Sequence, residues 1–130
     1  MAPPLRIMVI DDEAIVGKRL LVALRETGYE VETFVDPKAA IERLASQSFD
    51  IVVTDVRMKD VDGMQILEEA RRRSEHTKVI LITAFATIEV AREAMAKGVF
   101  DFLAKPFKVS ELLDTIARAE SALPADRHAG

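Results

Sequence analysis

Five short apolar runs alternate with five amphipathic helical patterns along this chain, and this alternation limits the folds available to it. The first, third and fourth runs are almost continuous in isoleucine, valine, leucine and methionine. Such strands are expected where helices cover both faces of a sheet. A regular alternation of strand and helix predicts a parallel sheet with right-handed crossovers. The predicted strands are residues 5–10, 30–34, 50–54, 78–83 and 100–104.

Local signals mark the ends of the helices between these strands. Asp36 before a proline predicts an N-cap, and Asp62 with Gln65 has capping-box spacing. Thr87 is placed to cap the fourth helix. The predicted helix stops are Gly28 and Gly98.

Length and composition suit a single soluble domain. The chain has 130 residues, no cysteine and a formal net charge of -4. A disulfide or thiolate zinc site is therefore excluded, and the acidic balance argues against direct contact with nucleic acid. We expect a cytoplasmic protein without membrane contact, because the chain has neither a membrane-length apolar run nor a signal-peptide pattern. The strand–helix pattern predicts one domain over residues 1–121 and a linker stub or disordered tail over 122–130.

Polar residues stand at the carboxyl ends of four predicted strands. Asp11 and Asp12 follow the first strand, and Asp55 follows the third. Thr83 ends the fourth strand, and Lys105 follows the fifth. Ligands of open parallel sheets bind beyond such strand ends, where the strand order reverses. Each residue also has an ordinary explanation, such as helix capping, an Asx-turn or a solvated lysine, but their joint placement favours a site.

Three carboxylates at one sheet edge repel one another, and a hard cation relieves this repulsion. Mg²⁺ suits few carboxylates and several waters, and it commonly bridges to a phosphate. A lysine and a hydroxyl beside it suit the oxygens of a transferring phosphoryl group. A carboxylate can itself be the nucleophile. Asp55 is best placed for that role, and Asp11 and Asp12 are better placed to hold the metal.

Four short motifs together resemble the receiver domain of two-component response regulators. The resemblance covers about residues 5–121. It implies a flavodoxin-like, doubly wound α/β fold, with a five-stranded parallel sheet in the order 2-1-3-4-5 and helices on both faces. The motifs are Ile10-Asp11-Asp12-Glu13, Asp55-Val56-Arg57-Met58 with Gly63 following, Thr83-Ala84, and Phe102-Leu103-Ala104-Lys105-Pro106-Phe107.

The resemblance also implies a role for each acidic and basic site residue. Asp55 would accept a phosphoryl group from the phosphohistidine of a sensor histidine kinase. Lys105 would pair with the phosphoryl oxygens. Mg²⁺ would be held by Asp12 directly, by Asp11 directly or through water, by Asp55, and by the backbone carbonyl of Arg57.

A second set of residues would form the switch. Thr83 would move to hydrogen-bond the phosphoryl group, helped by the backbone N–H of Ala84. Phe102 would rotate from exposed to buried, although strand alternation alone also allows it to be a core residue. Pro106 would follow a cis peptide bond. Phe100 and Phe107 are interpreted as packing residues.

Two features of the sequence depart from common receivers. Lys59 stands where many have a proline, which changes loop stiffness and charge. Arg57 and Phe85 are large residues at positions that flank the phosphoryl site in the family. Our hypothesis is that they hinder the attacking water and slow self-dephosphorylation.

Residues 83–95 and 101–107 look most like receivers of the nitrogen-regulator type, which commonly control an ATPase that activates transcription. The resemblance therefore implies a signalling receiver rather than an enzyme, and an output domain or DNA-binding effector as partner. The surface of the fourth helix, fifth strand and fifth helix would either pair two receivers as a dimer or contact an output domain. The chain would be either a fragment of a longer protein or a single-domain regulator, and the patternless end at 122–130 favours the fragment.

Three alternatives remain at this point. An aspartyl phosphatase would want a second acid two residues after Asp55, where Arg57 stands. A flavin-binding domain would need a phosphate loop after the first strand, where the acids would repel a phosphate. A degenerate receiver used only for protein contacts would not need the complete site.

Overall fold

The computed structural model of the chain describes residues 3–124. Strands and helices alternate along it as predicted: β1 (Arg6–Ile10), α1 (Ala14–Glu26), β2 (Glu30–Phe34), α2 (Pro37–Ser46), β3 (Ile51–Asp55), α3 (Gly63–Arg73), β4 (Lys78–Thr83), α4 (Ile88–Ala96), β5 (Asp101–Ala104) and α5 (Val109–Ser121). The strands pair in parallel in the order β2-β1-β3-β4-β5. This is the doubly wound sheet that the sequence predicts.

The strand boundaries differ from the predicted ones by a single residue. β1, β3 and β5 each begin one residue later, and β3 also ends one residue later. Asp55 is therefore the last residue of β3 rather than the residue after it. It still pairs with Ile82, and the N–H of Val56 donates to the Ile82 carbonyl at 3.2 Å.

The predicted helix ends are confirmed. Asp36 accepts a hydrogen bond from the N–H of Lys38 at the start of α2, and Asp62 and Gln65 form the capping box of α3. Thr87 accepts from a backbone N–H at the start of α4. Gly28 and Gly98 follow helices with φ of 101° and 87°, a region that favours glycine.

The sheet is covered on both faces, and each face has its own apolar core. Buried residues of α1 and α5 pack on one face, and those of α2, α3 and α4 pack on the other. Among its nine residues, α4 buries only Ala94, so it is weakly anchored to the core. No helix within residues 3–124 is both long enough and apolar enough to cross a membrane.

The chain leaves α5 close to the core. Leu123 packs against the face covered by α1 and α5. Residues 125–130 of the predicted tail lie outside the described residues. The division into 1–121 and 122–130 stays a prediction.

Candidate functional site

The strand register brings the predicted site residues to one edge of the sheet. Parallel strands in register end together, so the residues that follow β1, β3, β4 and β5 lie side by side. The pairs at these ends are Ile10 with Thr54, Asp55 with Ile82, and Thr83 with Ala104.

Asp11, Asp12 and Asp55 form a compact carboxylate cluster. One carboxylate oxygen from each residue lies within 4.8 Å of the others. Asp11 and Asp55 are buried, and Asp12 is exposed. Asp11 also turns the chain toward α1, because its Oδ1 accepts the N–H of Glu13 at 2.9 Å. The three acids predicted as metal ligands are thus brought together.

The ammonium group of Lys105 lies within this cluster. Its Nζ is 2.7 Å from Oδ2 of Asp11 and 3.1 Å from Oδ2 of Asp55. Glu13, which the sequence analysis did not place in the site, is 3.6 Å from the same Nζ. The peptide bond between Lys105 and Pro106 is cis, as expected. One lysine therefore bridges the ends of β1 and β3.

Burial and charge act against each other in this cluster. Burial raises the pKa of the Asp55 carboxyl, and the hydrogen bond from Lys105 offsets only part of this rise. Burial disfavours the charged form of Lys105, but its hydrogen bonds to Asp11 and Asp55 outweigh that effect, so its pKa is raised. Three carboxylates still outnumber one ammonium. The residual negative charge and the oxygen donors fit a hard divalent cation such as Mg²⁺.

The hydroxyl of Thr83 is buried and engaged within its own loop. Its Oγ1 accepts the N–H of Phe85 at 3.0 Å. The next residue, Ala84, is exposed and lines an open pocket of about 330 Å³ together with Glu13, Lys105 and Pro106. This pocket adjoins the carboxylate cluster through Lys105. The three aspartates of the cluster do not line it.

The aromatic residues around β5 divide between the two faces of the sheet. Phe102 is partly buried against the core under α2, α3 and α4. Phe100 and Phe107 pack on the opposite face, as expected for packing residues. Phe100 precedes β5, which explains why it does not share a face with Phe102.

Arg57 and Phe85 are in contact, which the sequence analysis did not anticipate. The guanidinium carbon of Arg57 lies 5.1 Å from the centroid of the Phe85 ring, within the range of a cation–π interaction. The two residues follow β3 and β4. Their contact therefore joins the two loops on either side of the site.

The backbone carbonyl of Asp55 is held from two sides. The sequence did not predict these contacts. The hydroxyl of Thr54 donates to it at 2.9 Å. A Cβ added to Gly63 would stand 2.3 Å from the same oxygen. Gly63 belongs to a motif of the resemblance, but Thr54 gave no signal because a threonine is ordinary in a strand.

Comparisons with known proteins agree with this geometry. The family model of the response regulator receiver domain matches residues 7–117. Regulatory protein AtoC of Escherichia coli (strain K12) is 38% identical over 114 residues, which cover 88% of this chain and 25% of AtoC. The DNA-binding transcriptional regulator NtrC of the same strain is 33% identical over 115 residues, which cover 88% of this chain and 24% of NtrC.

A solved structure of a receiver domain is also similar to this chain. The beryllofluoride-activated NtrC4 receiver domain dimer is similar with a TM-score of 0.83 and 34% identity, over 90% of this chain and 98% of that one. The chain spans about a quarter of the length of the two curated relatives.

These relatives are of the nitrogen-regulator type that the sequence resembles, so that prediction is confirmed. The family match sets aside the phosphatase and flavin-binding alternatives. The chain belongs to the response regulator receiver domain family of two-component signalling.

Proposed function

We propose that this domain takes a phosphoryl group from the phosphohistidine of a sensor histidine kinase onto Asp55, and then changes conformation to control transcription through an output domain or partner. The observation that carries the proposal is the environment of Asp55. This carboxylate is buried at the end of β3, its Oδ2 lies 3.1 Å from the Nζ of Lys105, and two further carboxylates lie beside it. The role is that of a signalling receiver.

Mg²⁺ is the cation that this cluster would hold. The ligands would be the carboxylates of Asp11, Asp12 and Asp55 and the backbone carbonyl of Arg57. The support is the close set of oxygens and the negative charge that Lys105 leaves uncompensated. When bound, the metal would neutralise charge on the phosphoryl oxygens and so lower the barrier to attack.

The transfer itself exchanges one bond to phosphorus for another. A carboxylate oxygen of Asp55 attacks the phosphorus, a P–O bond forms, and the P–N bond to the donor imidazole breaks. The electron pair stays on the imidazole nitrogen, which takes a proton from solvent. Lys105, already hydrogen-bonded to Asp55, is placed to stabilise the charge on the phosphoryl oxygens.

The switch would begin at Thr83. Its hydroxyl would leave the N–H of Phe85, to which it is bonded at 3.0 Å, and donate to a phosphoryl oxygen. The N–H of Ala84 would add a second hydrogen bond. Phe102 would turn further into the space that Thr83 leaves, and the cis bond before Pro106 would hold Lys105 in place.

The surface formed by α4, β5 and α5 would carry the signal. On α4, Ile88 and Met95 are 68% and 73% exposed, and the helix buries only Ala94. Such a face suits a second receiver or an output domain. The NtrC4 receiver is a dimer, and a dimer through this surface is part of the proposal. So are a cytoplasmic location and the absence of direct contact with nucleic acid.

Incubation with Mg²⁺ and a small acyl phosphate tests the proposal by mass spectrometry. The wild type should gain one phosphate, and Asp55→Asn should gain none. Asp60→Asn is the matched control, because Asp60 lies in the same loop and its φ of 71° is one that asparagine tolerates. A phosphate gain that survives Asp55→Asn contradicts the assignment.

A further inference from the structure

The residue before the acceptor carries a buried hydroxyl that its place in the fold does not require. Thr54 has no solvent exposure. Its neighbours on the same face of β3, Val52 and Val56, belong to the core under α2, α3 and α4. A valine would fill this position with the same shape and with no polar group to bury. Core packing therefore does not account for the hydroxyl, and its hydrogen bond is the feature that distinguishes threonine from valine here.

That hydrogen bond fixes the peptide unit at which the chain leaves β3. The Oγ1 of Thr54 donates to the Asp55 carbonyl at 2.9 Å. On the other side, Gly63 packs directly on this oxygen, and its N–H donates to the Val56 carbonyl at 2.8 Å. The peptide between Asp55 and Val56 is thus held between the strand and the first residue of α3. Its orientation sets where the loop after β3 begins.

We infer that Thr54 is a positioning residue for phosphoryl transfer, and this inference rests on the proposed function of Asp55. The hydroxyl holds the main chain of Asp55 so that its carboxylate stays beside Lys105 and the acids at the end of β1. Reactivity depends steeply on such alignment, since a misplacement of about an ångström can cost roughly a hundredfold in rate. Thr54 touches neither the donor nor the reacting oxygen. It acts only through the backbone of the acceptor.

Two substitutions separate the hydroxyl from the methyl group of Thr54. Thr54→Val removes the hydrogen bond and keeps the shape. Thr54→Ser keeps the hydrogen bond and removes a buried methyl group. We expect Thr54→Val to take up phosphate from a small acyl phosphate about tenfold more slowly at saturating Mg²⁺, and Thr54→Ser to keep a rate near that of the wild type.

The free energy of unfolding is the second measurement, and it separates a positioning role from a purely structural one. Urea unfolding should show Thr54→Ser to be less stable than the wild type, because it loses a buried methyl group, although its rate stays near that of the wild type. A purely structural role would make rate and stability fall together. If Thr54→Val does not fold, Thr54→Ala replaces it in the comparison with Thr54→Ser.

Each outcome decides one question. A slow Thr54→Val beside a normal Thr54→Ser supports the positioning role. Equal rates for Thr54→Val and the wild type overturn it, and so does a Thr54→Ser that is as slow as Thr54→Val. A wild type that takes up no phosphate overturns the proposed function, and the positioning role with it.

Discussion

Replacing Gly63 by alanine should destabilise the domain, although alanine favours helices. Gly63 is the first residue of α3, and its φ lies outside the left-handed region. An alanine there would strain no dihedral angle of its own. The obstacle is steric, because the added Cβ would stand 2.3 Å from the Asp55 oxygen, 2.8 Å from the Val56 Cα and 3.0 Å from the Asp55 carbonyl carbon. All three are backbone atoms, which cannot rotate aside as a side chain can.

The size of the loss follows from these distances. Ordinary contacts begin near 3.4 Å, so α3 or the loop before it must move by about an ångström. Overpacking of this kind costs about 1–3 kcal/mol, and the helix preference of alanine over glycine returns at most about 1 kcal/mol. An approach of 2.3 Å to a backbone atom belongs in the upper part of that range, about 2–3 kcal/mol, so the net loss should be about 1–2 kcal/mol. For a domain of this size, that lowers the melting temperature by roughly 3–10 °C.

Gly17→Ala is the matched control for this prediction. Gly17 is buried within α1, and a Cβ there would meet its nearest neighbour, the Cβ of Thr33, at 3.5 Å. That is an ordinary contact, so the variant should be unchanged or more stable by up to about 1 kcal/mol. Urea unfolding should give a lower free energy of unfolding for Gly63→Ala than for the wild type, and an equal or higher one for Gly17→Ala. A Gly63→Ala that matches the wild type, or gains stability as Gly17→Ala does, refutes the reasoning.

Three further predictions concern the site. Burial raises the pKa of Asp55 in the folded protein above its ordinary value of 3.8. Ionised Asp55 therefore lowers the free energy of unfolding at a pH above the pKa values of both the folded and the unfolded state, and this loss disappears at a pH below both values. In chelator, Asp55→Asn should therefore raise the free energy of unfolding at neutral pH, and a gain that persists below about pH 4 contradicts this. Mg²⁺ should raise the melting temperature of the wild type but not of Asp12→Asn, because a ligand that binds only the folded state stabilises it; equal shifts rule out Asp12 as a ligand. Arg57→Ala and Phe85→Ala should each shorten the lifetime of the phosphorylated protein, measured as loss of the phosphate mass, and together do little more than either alone because they share one contact. An unchanged rate of phosphate loss contradicts the hypothesis that Arg57 and Phe85 slow self-dephosphorylation.

The fold was predictable to the extent that its signals are local. Strands buried on both faces must be apolar throughout, so β1, β3 and β4 stand out in the sequence. Caps such as Asp62 with Gln65 depend on residues three positions apart, and they appear where expected. The strand order is a different matter. It depends on contacts between distant segments, and here it came from the resemblance rather than from the pattern.

The candidate site was likewise predictable only in part. The convergence of Asp11, Asp55 and Lys105 follows from one rule about the carboxyl ends of parallel strands. The contact between Arg57 and Phe85 follows from no such rule. It depends on the paths of two irregular loops, whose conformations are set by tertiary packing rather than by local sequence signals. The hydrogen bond from Thr54 to the Asp55 carbonyl could not be predicted, because threonine is a common strand residue whether or not its hydroxyl makes such a bond.

The resting hydrogen bonds of the site limit how the proposed switch can work. A charge-assisted bond from Thr83 to a phosphoryl oxygen contributes about 1.5–3 kcal/mol, but in the proposed movement Thr83 gives up its bond to the N–H of Phe85, worth about 0.5–1.5 kcal/mol. The exchange gains only about 1–2 kcal/mol. Lys105 likewise exchanges partners, since it already bonds two carboxylates. A shift from 1:99 to 99:1 needs about 5.5 kcal/mol.

In the proposed switch, the N–H of Ala84 and the inward turn of Phe102 would supply part of the remainder. Surface that becomes buried only in the switched state would supply the rest. The exposed side chains of Ile88 and Met95 on α4 offer this, because full burial of one such side chain is worth about 1.5–3 kcal/mol. That burial requires a partner or a second receiver to cover α4. We therefore expect the phosphorylated domain alone to switch only in part, and association at α4 to supply the free energy that completes the change.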